Sequence, residues 1–583
     1  MPPLAAMFFP FGGCRLFCAE REAGAAEPIL ALARSPGGEW LAALTASSLC
    51  VWSARQHRAA LGHYPRHPAS LESDGSNMQL CWHPEGHVLA VSTTKSFVYM
   101  YQVQAAAGDA DSMSAEECAR LVQGQFRVSI SLTQKVQAAG QEGAATGAIA
   151  AGAASFWLGV AGGVLLAIEW TVQDPRPKKL FLPSEEGAAG GEQRRADVAA
   201  VCCSAALDLV VGLDSAGRAG YAFGAEGRSG AAAGEGAGEA AAVRALPLAE
   251  PGSALAVNSA QRRLCVGCVS GAIEVFRVRD RVELHRTTGE VGAGGCTAER
   301  RLTLAPWGIG PAETGAVAAL AWSDDGLGLA AAYARRASPA LWSLSGCCCS
   351  VAAGGGQLPA ASSAGASDEG EAPPGPAPHA LAWAADGLAL WTACSAGPGP
   401  SADQSAPLQR AGGLLAEIPL LQPCAGRGPA QTEPTRRCFH THDRVLVLAQ
   451  HNRVSTGLSP QPDEGDGEER RAVSSVQTEF GWRQWKVPQK YLQDNWPVRH
   501  VSSSADGAHL AVSGAHGLTM LDTRSKRWRV FGDVSQEREL RCVGLAWYRH
   551  IVVVYALAET APAEDNIWGD ASQIAARADE TAV

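Results

Sequence analysis

The sequence predicts an all-β protein made of tandem WD-repeat-like β-propellers, the second of which we expect to be incomplete. A strand–turn–strand unit recurs along the chain, and its first turn often carries Asp-Gly or Glu-Gly. The composition, with 65 Gly and 33 Pro in 583 residues, suits a turn-rich β architecture. One such unit cannot cover the two faces of its own sheet, so a series of them indicates a ring of stacked blades.

Seven segments carry the repeat: 29–52, 78–103, 198–223, 253–278, 317–344, 379–393 and 498–524. A hairpin from Trp157 to Trp170 and a further unit that starts at Val543 raise the count. One ring holds about four to eight blades, so this count predicts two rings. We expect the early strand from Cys14 to Cys18 to close the first ring by pairing with its last blade.

Composition sets the expected domain boundaries. We predict a first propeller at 1–394, a disordered linker at 395–435, a partial second propeller at 436–558 and a disordered tail at 559–583. The linker is rich in Gly, Pro, Ser and Ala and the tail is polar, which is typical of segments that bury too little apolar surface to fold. Loops of similar low complexity separate several of the blades.

Four tryptophans fall at the same place in the first strand of a unit: Trp82, Trp322, Trp383 and Trp547. Large aromatic side chains contribute strongly to core burial. We therefore predict that they pack between blades and do not bind a ligand.

Composition and motifs argue against several classes of function. The net charge is −10 and no Lys/Arg-rich run is present, so we expect no binding to nucleic acid. The sequence contains no phosphate-binding loop, dinucleotide fingerprint, nucleophile elbow or zinc-protease helix. We therefore assign no catalytic, cofactor-binding or metal-binding residue and do not expect an enzyme with its own active site.

Two groups of cysteine and histidine are candidates for metal ligands. Cys265 and Cys268 form a CxxC, but this spacing places them on opposite faces of a strand, which favours a structural role. Cys438, His440 and His442 alternate along a strand and share one face. A metal site there needs a fourth ligand, and the alternative is a polar, solvent-facing strand edge.

Two further segments allow more than one interpretation. Cys347 to Cys349 are candidates for lipid attachment, although their position at the end of a strand unit favours buried structural cysteines. Residues 144–170 are long and apolar enough to span a membrane, but the second half of the segment has a strand–turn–strand pattern. We therefore predict a hairpin and not a transmembrane helix.

The stretch after Gly481 contains distinctive words: YLQDNWPVR from Tyr491 to Arg499, RWRVFGDVSQE, and GLAW at Gly544 to Trp547. These words resemble the Ric-type large subunit of the heterodimeric exchange factor that activates a Rab GTPase at the Golgi. The residues that carry this family motif, which we interpret as structural, are Tyr491, Leu492, Asn495, Trp496, Pro497, Arg499, Trp528, Phe531, Gly532 and Trp547.

The resemblance, which covers the WD-repeat N-terminal portion of the family, implies a function. It implies a scaffold subunit that pairs with an arrestin-like Rgp-type subunit and promotes nucleotide exchange on a Golgi Rab in endosome-to-Golgi retrograde transport. It also implies that the protein contacts the Golgi membrane peripherally. We expect the protein to need no cofactor. The first residues lack the features of a secretory signal and the 17 cysteines form no disulfide framework, so we expect a cytosolic chain.

The resemblance leaves two points open. The family continues into a long α-helical region, and nothing helical of that length follows Tyr555, so we expect little exchange activity from this polypeptide alone. The alternative function is a β-propeller scaffold in a coat or tethering complex that takes no part in exchange.

Overall fold

The computed structural model describes residues 9–10, 15–18, 27–54, 60–105, 128–138, 145–170, 178–183, 195–224, 243–279, 295–351, 377–384, 387–395, 413–423, 438–455, 475–504, 507–530, 540–548 and 551–557. The chain divides into two compact units. The first comprises Met1–Pro423 and Phe439–His442, and the second comprises Cys424–Cys438 and Asp443–Val583. The predicted tail at 559–583 lies outside the described residues.

The first unit begins with two short strands and continues into small antiparallel sheets that follow one another along the chain. The two short strands are β1 (Phe9–Pro10) and β2 (Arg15–Cys18). Blade 1 contains β3 (Ile29–Arg34), β4 (Trp40–Thr45), β5 (Ser48–Ser53) and β6 (Ala60–Pro65). Blade 2 contains β7 (Asn77–Trp82), β8 (Val88–Thr93), β9 (Phe97–Ala105) and β10 (Val128–Gln137). Blade 3 contains β11 (Ala145–Ala151), β12 (Ser155–Val160), β13 (Val164–Glu169) and β14 (Lys178–Phe181).

Four more blades follow in the same order. Blade 4 contains β15 (Val198–Ser204), β16 (Leu209–Asp214), β17 (Ala219–Phe223) and β18 (Arg244–Ala245). Blade 5 contains β19 (Gly252–Asn258), β20 (Arg263–Cys268), β21 (Ile273–Arg279) and β22 (Gly295–Leu302). Blade 6 contains β23 (Val317–Trp322), β24 (Gly328–Tyr333), β25 (Ala340–Ser343) and β26 (Cys348–Val351). Blade 7 contains β27 (Pro378–Trp383), β28 (Ala389–Ser395) and β29 (Gly413–Pro423), and β30 (Cys438–His440) pairs with the end of β29.

The seven blades close into a ring. The first strand of each blade lies next to the first strand of the following blade, and β27 of blade 7 lies next to β3 of blade 1. A cluster of buried apolar side chains fills each of the seven interfaces between neighbouring blades. The predicted all-β propeller fold is therefore confirmed, and its stability rests on burial between the sheets.

The outer strand of blade 7 comes from the start of the chain. β2 pairs antiparallel with β29, with Arg15 opposite Glu417 and Cys18 opposite Leu414. β1 pairs with the same strand further along. The predicted closure by the early strand is confirmed, and it ties the beginning of the first unit to its end.

The first turn of a blade uses the predicted geometry. Gly86, Gly326, Gly387 and Gly507 occupy this turn with φ between 67° and 79°, a left-handed conformation that favours glycine. In blade 6, the Asp325 carboxylate accepts a hydrogen bond from the backbone N–H of Leu327 at 3.0 Å. The Asp-Gly pair thus supplies both the left-handed residue and an acceptor that fixes the turn.

The tryptophans of the first strands pack between blades as predicted. Trp82 and Trp383 are buried, and Trp322 is half-buried against the cluster between blades 5 and 6. The indole N–H of Trp82 donates to the carbonyl oxygen of Ala33 at 3.0 Å, and that of Trp383 donates to Ala321 at 2.9 Å. Each bond joins a blade to the one before it, because a buried indole N–H needs a partner.

Helix is scarce among the described residues of the first unit. It contains α1 (Pro68–Asp74), α2 (Pro311–Thr314) and two 3₁₀ turns (Ala205–Leu207 and Ala305–Trp307). The segment weighed as a membrane span forms β11 to β13, so the predicted hairpin is confirmed. Among the described residues, no helix is both long and apolar enough to cross a bilayer.

A buried polar network holds α1 against blade 2. Arg66 donates to Asn77 at 3.0 Å and to the Tyr99 hydroxyl at 3.2 Å. The Asp74 carboxylate accepts from Tyr99 and forms an ion pair with Lys135 at 2.7 Å. Burial opposes the charge on Asp74, but the hydrogen bonds from Lys135 and Tyr99 outweigh it and hold the pKa of Asp74 below its usual value.

The expected boundary of the first propeller differs from the structure. β29 lies inside the segment 395–435 that composition marked as a linker, and it forms the third strand of blade 7. Its apolar core from Leu414 to Leu421 is flanked by Gly-, Pro- and Ser-rich sequence, which hid the strand from an average over composition. The first unit therefore extends to Pro423.

The second unit contains a hairpin, one helix, one blade and a two-stranded sheet within its described residues. The hairpin consists of β31 (Arg444–Ser455) and β32 (Ser475–Lys486), and α3 (Gln489–Asn495) follows it. The blade consists of β33 (His500–Ser503), β34 (His509–Ser513), β35 (Thr519–Asp522) and β36 (Arg527–Val530). The sheet consists of β37 (Arg541–Tyr548) and β38 (Ile551–Leu557).

The two-stranded sheet stacks on the blade in the manner of the first ring. Ala511 of the blade packs against Cys542 and Leu545 of β37. The half-buried Trp547 donates its indole N–H to the carbonyl oxygen of Ser502 at 2.9 Å. The prediction that Trp547 packs between units of the repeat is thus confirmed.

Candidate functional site

The family motif forms a short helix where the sequence predicted only strands and turns. α3 begins after Pro488 and ends before Trp496, whose extended backbone leads into Pro497. The residues Val487, Tyr491, Leu492 and Asn495 are buried and recur at helical spacing. This spacing was the signal that could have identified the helix, but the strong strand pattern on either side masked it.

The Tyr491 hydroxyl joins α3 to the turn between β34 and β35. It accepts a hydrogen bond from the backbone N–H of Gly514 at 2.8 Å. It donates towards the carbonyl oxygens of His516 at 3.1 Å and Gly517 at 3.3 Å. One buried side chain therefore serves polar backbone atoms of a turn that would otherwise lack partners in the core.

The same turn is clamped to the chain after α3 by its backbone. Ala515 donates its N–H to the carbonyl oxygen of Asn495, and Arg499 donates its N–H to that of Ser513, both at 2.8 Å. A Cβ atom at Gly514 would overlap the carbonyl oxygen of Asn495. Only glycine therefore allows the two backbones to approach so closely, and we call residues 491–499 together with 513–517 the motif clamp.

An apolar cluster lies beneath the motif clamp. It contains Tyr491, Leu492, Val498, Leu510 and Val512 among its buried members. Tryptophans from three elements pack at its margin: Trp485 of β32, Trp496 after α3, and Trp528 of β36. The clamp thus connects the hairpin, the helix and the blade of the second unit through one core.

Most of the motif residues that the structure describes are buried or half-buried, and one of them, Arg499, is exposed. Tyr491, Leu492, Asn495 and Pro497 are buried, Trp496, Trp528 and Trp547 are half-buried, and Arg499 is exposed. Phe531 and Gly532 lie outside the described residues. The clamp also uses residues that the motif did not single out, chiefly Gly514, whose role depends on a contact that is distant in sequence.

One ionisable side chain beside the motif clamp has a shifted pKa. His500 follows the exposed Arg499, and burial lowers the pKa of its ring, with the nearby Arg499 charge acting in the same direction. The hydrogen bonds of the Tyr491 hydroxyl go to backbone atoms. This arrangement stabilises the local structure of the second unit.

The cysteines of the CxxC are buried in the first ring. Cys265 and Cys268 lie on β20 with fully buried side chains, which accords with the structural interpretation. Burial raises the pKa of both thiols, that of Cys268 to about 11. Such thiols remain protonated at neutral pH.

The expectation of a solvent-facing strand edge at Cys438, His440 and His442 is wrong. All three side chains are buried, with exposed fractions of 9%, 3% and 6%. The alternation of polar residues suggested a face exposed to solvent, but the rest of the protein covers these side chains. Across the part of the chain that the structure describes, no group of three His, Cys, Asp or Glu side chains could hold a metal ion.

The expectation of buried cysteines at Cys347 to Cys349 is also wrong in part. Cys347 is exposed in the turn before β26, and Cys348 and Cys349 are half-buried. The outer strand of a blade is covered on fewer sides than its inner strands, which accounts for the exposure. Burial still raises the pKa of Cys348 to about 12.

Comparison with known proteins connects the second unit to one family. Residues 441–567, which include the motif clamp, match the family model described as the RIC1 second beta propeller domain. The guanine nucleotide exchange factor subunit RIC1 of Homo sapiens is 23% identical over 323 residues, which cover 52% of this chain and 21% of that protein.

Relatives from two further organisms match shorter stretches. The guanine nucleotide exchange factor subunit R06F6.8 of Caenorhabditis elegans is 25% identical over 142 residues, 24% of this chain and 8% of that protein. The subunit ric1 of Schizosaccharomyces pombe is 38% identical over 68 residues, 11% of this chain and 6% of that protein. The match to the human relative spans about a fifth of that protein's length. These matches confirm, over the residues that they cover, the resemblance of this chain to Ric1-type exchange factor subunits.

Proposed function

We propose that this chain is a scaffold subunit of a guanine nucleotide exchange factor complex that acts on a Golgi Rab GTPase. The observation that carries the proposal is the match of residues 441–567 to the second propeller of RIC1, since these residues contain the motif clamp. Its relatives are named as subunits of exchange factors, which supports a role inside a complex.

The proposed role is regulatory, without an active site of its own. Nucleotide exchange requires a group that remodels the switch loops of the GTPase near its phosphates and magnesium. A propeller instead offers rigid faces and edges on which loops can carry recognition. We propose that this chain holds an arrestin-like Rgp-type subunit and the Rab in place, in the cytosol and at the cytoplasmic face of the Golgi membrane, for endosome-to-Golgi retrograde transport.

The test is co-purification of the full 583-residue chain with a tagged Rgp-type subunit after co-expression. The proposal predicts a stoichiometric complex that survives size-exclusion chromatography. As a control, the exposed Tyr555→Phe variant, which leaves the motif clamp intact, should form the same complex. Failure to bind the Rgp-type subunit at micromolar concentration, with stable binding to a coat or tethering subunit, would overturn the proposal in favour of a scaffold without a role in exchange.

A further inference from the structure

Basic residues outnumber acidic ones among the described residues of the second unit. Its described residues from Asp443 onwards contain eleven Lys or Arg and four Asp or Glu, whereas the net charge of the chain is −10. The excess is concentrated on the last hairpin of the blade. Arg524, Lys526, Arg527 and Arg529 are all exposed there, within six residues.

The local structure holds these cations on a defined turn and strand. The Asp522 carboxylate accepts hydrogen bonds from the N–H of Arg524 at 2.9 Å and from the Ser525 hydroxyl at 2.9 Å. Thr523 bonds the carbonyl oxygen of Ala508 with its N–H at 2.8 Å and its hydroxyl at 2.9 Å. The turn is therefore anchored to the neighbouring turn of the blade, and the Asp522 carboxylate helps to shape it.

Alternation along β36 separates two kinds of side chain. Arg527 and Arg529 point to one face, and Trp528 and Val530 point to the other. Trp528 packs on the core of the second unit, while Val530 remains 36% exposed at the end of the strand. We call Lys526, Arg527 and Arg529 the basic strip.

Two outer strands of the first ring carry cations that form ion pairs within the protein. Lys135 of β10 pairs with Asp74 at 2.7 Å, and Arg301 of β22 pairs with Glu250. Arg300 of β22 pairs with Glu299 at 2.5 Å.

The basic strip differs from those strands. Arg527 lies opposite Asp522 in the strand register, but none of the three cations forms an ion pair with a carboxylate that the structure describes. The first ring thus shows that the fold can pair such residues internally, and the strip leaves its charge available to an external anion.

We propose that the basic strip is the surface through which the second unit contacts an anionic phospholipid bilayer. The cations are exposed on a turn and on an outer strand, and clustered basic residues of this kind are attracted to the headgroups of anionic lipids. Because the chain as a whole is acidic, a basic surface also favours one orientation of the protein at an anionic membrane. This placement rests on the membrane contact in the proposed function.

The test measures flotation of the full chain with vesicles of phosphatidylcholine that contain phosphatidylserine. Arg527→Glu with Arg529→Glu should reduce the partition coefficient by at least about thirtyfold, since each basic residue near such a surface contributes roughly fivefold. Lys178→Glu with Lys179→Glu is the matched control, because these exposed residues lie on the outer strand β14 and change the net charge equally. The control should float like the wild type, and high salt should release the wild type.

A neutral pair, Arg527→Gln with Arg529→Gln, gives a second measurement if the reversed pair unfolds by circular dichroism. It should lose about thirtyfold in the same assay. Equal flotation of the neutral pair and the wild type would overturn the placement, and this is the result expected if Asp533, Glu537 and Glu539, which follow in the sequence, neutralise the strip.

Two other outcomes separate this inference from the proposed function. If both charge pairs float equally poorly, net charge and not the strip governs binding, and the placement is wrong while the proposed function stands. A different outcome is that the wild type does not float with vesicles but binds immobilised polyglutamate, and that the strip variants lose this binding. The strip is then a site for an acidic protein segment, and the placement at a membrane is wrong. The exchange-complex proposal is tested independently by co-purification with the Rgp-type subunit.

Discussion

Replacement of Tyr491 by phenylalanine tests the motif clamp with the smallest possible change. The ring remains in the core, and the hydroxyl that bonds Gly514 at 2.8 Å and His516 at 3.1 Å is lost. The N–H of Gly514 is then left buried without this acceptor, which costs about 1–3 kcal/mol. We expect Tyr491→Phe to lower the free energy of unfolding of the second unit by about 2 kcal/mol, equivalent to roughly 6 °C in Tm.

Because the chain has two units, a single global transition is not a safe measure, and local hydrogen exchange is the better assay. The amide of Gly514 should exchange at least about tenfold faster in Tyr491→Phe than in the wild type. Tyr555→Phe is the matched control, since Tyr555 is 65% exposed on β38 and its hydroxyl should not affect stability. If the two variants show equal exchange at Gly514 and equal Tm, the hydroxyl does not stabilise the clamp and the reasoning is refuted.

Three further predictions concern close packing, the contacts between blades and pH. Gly514→Ala should destabilise the second unit by about 3 kcal/mol in chemical unfolding, whereas Gly544→Ala, where a Cβ meets only ordinary contacts, should change it by less than about 1 kcal/mol. Trp383→Phe should lower the Tm of the first ring through loss of the bond to Ala321, and an unchanged Tm would contradict that role. Asp74 has a lowered pKa in the folded state, so its stabilisation is present above the unfolded pKa of about 4 and is lost as pH falls further. The difference in Tm between wild type and Asp74→Asn should therefore shrink below about pH 4, and a constant difference would rule out the carboxylate charge as its source.

The fold was largely predictable because its signals are local and repeated. The strand–turn–strand unit, the left-handed glycines such as Gly86 and Gly326, and the first-strand tryptophans each mark a blade without knowledge of the rest of the chain. The closing strand from Arg15 to Cys18 was predicted by its position before the first blade. Repetition of this kind predicts a ring even where individual strands are ambiguous.

The errors came from features whose outcome depends on distant neighbours. The strand β29 was not predicted, because the low-complexity sequence on both sides lowers the average apolar content of the segment. The burial of His440 was not predicted either, because it depends on residues that are distant in sequence. The same holds for the candidate site. The motif marked Tyr491 and Asn495, but the close approach of Gly514 to Asn495 can be seen only when the chain is folded.

The central claim, that this chain is a scaffold subunit of an exchange complex, is tested most directly by release of mant-GDP from Golgi Rab proteins. The purified 583-residue chain is assayed alone and together with an Rgp-type subunit. The account predicts that the chain alone releases little mant-GDP. It predicts that the chain contributes to mant-GDP release only as part of a complex. Robust release by the chain alone would contradict the scaffold assignment.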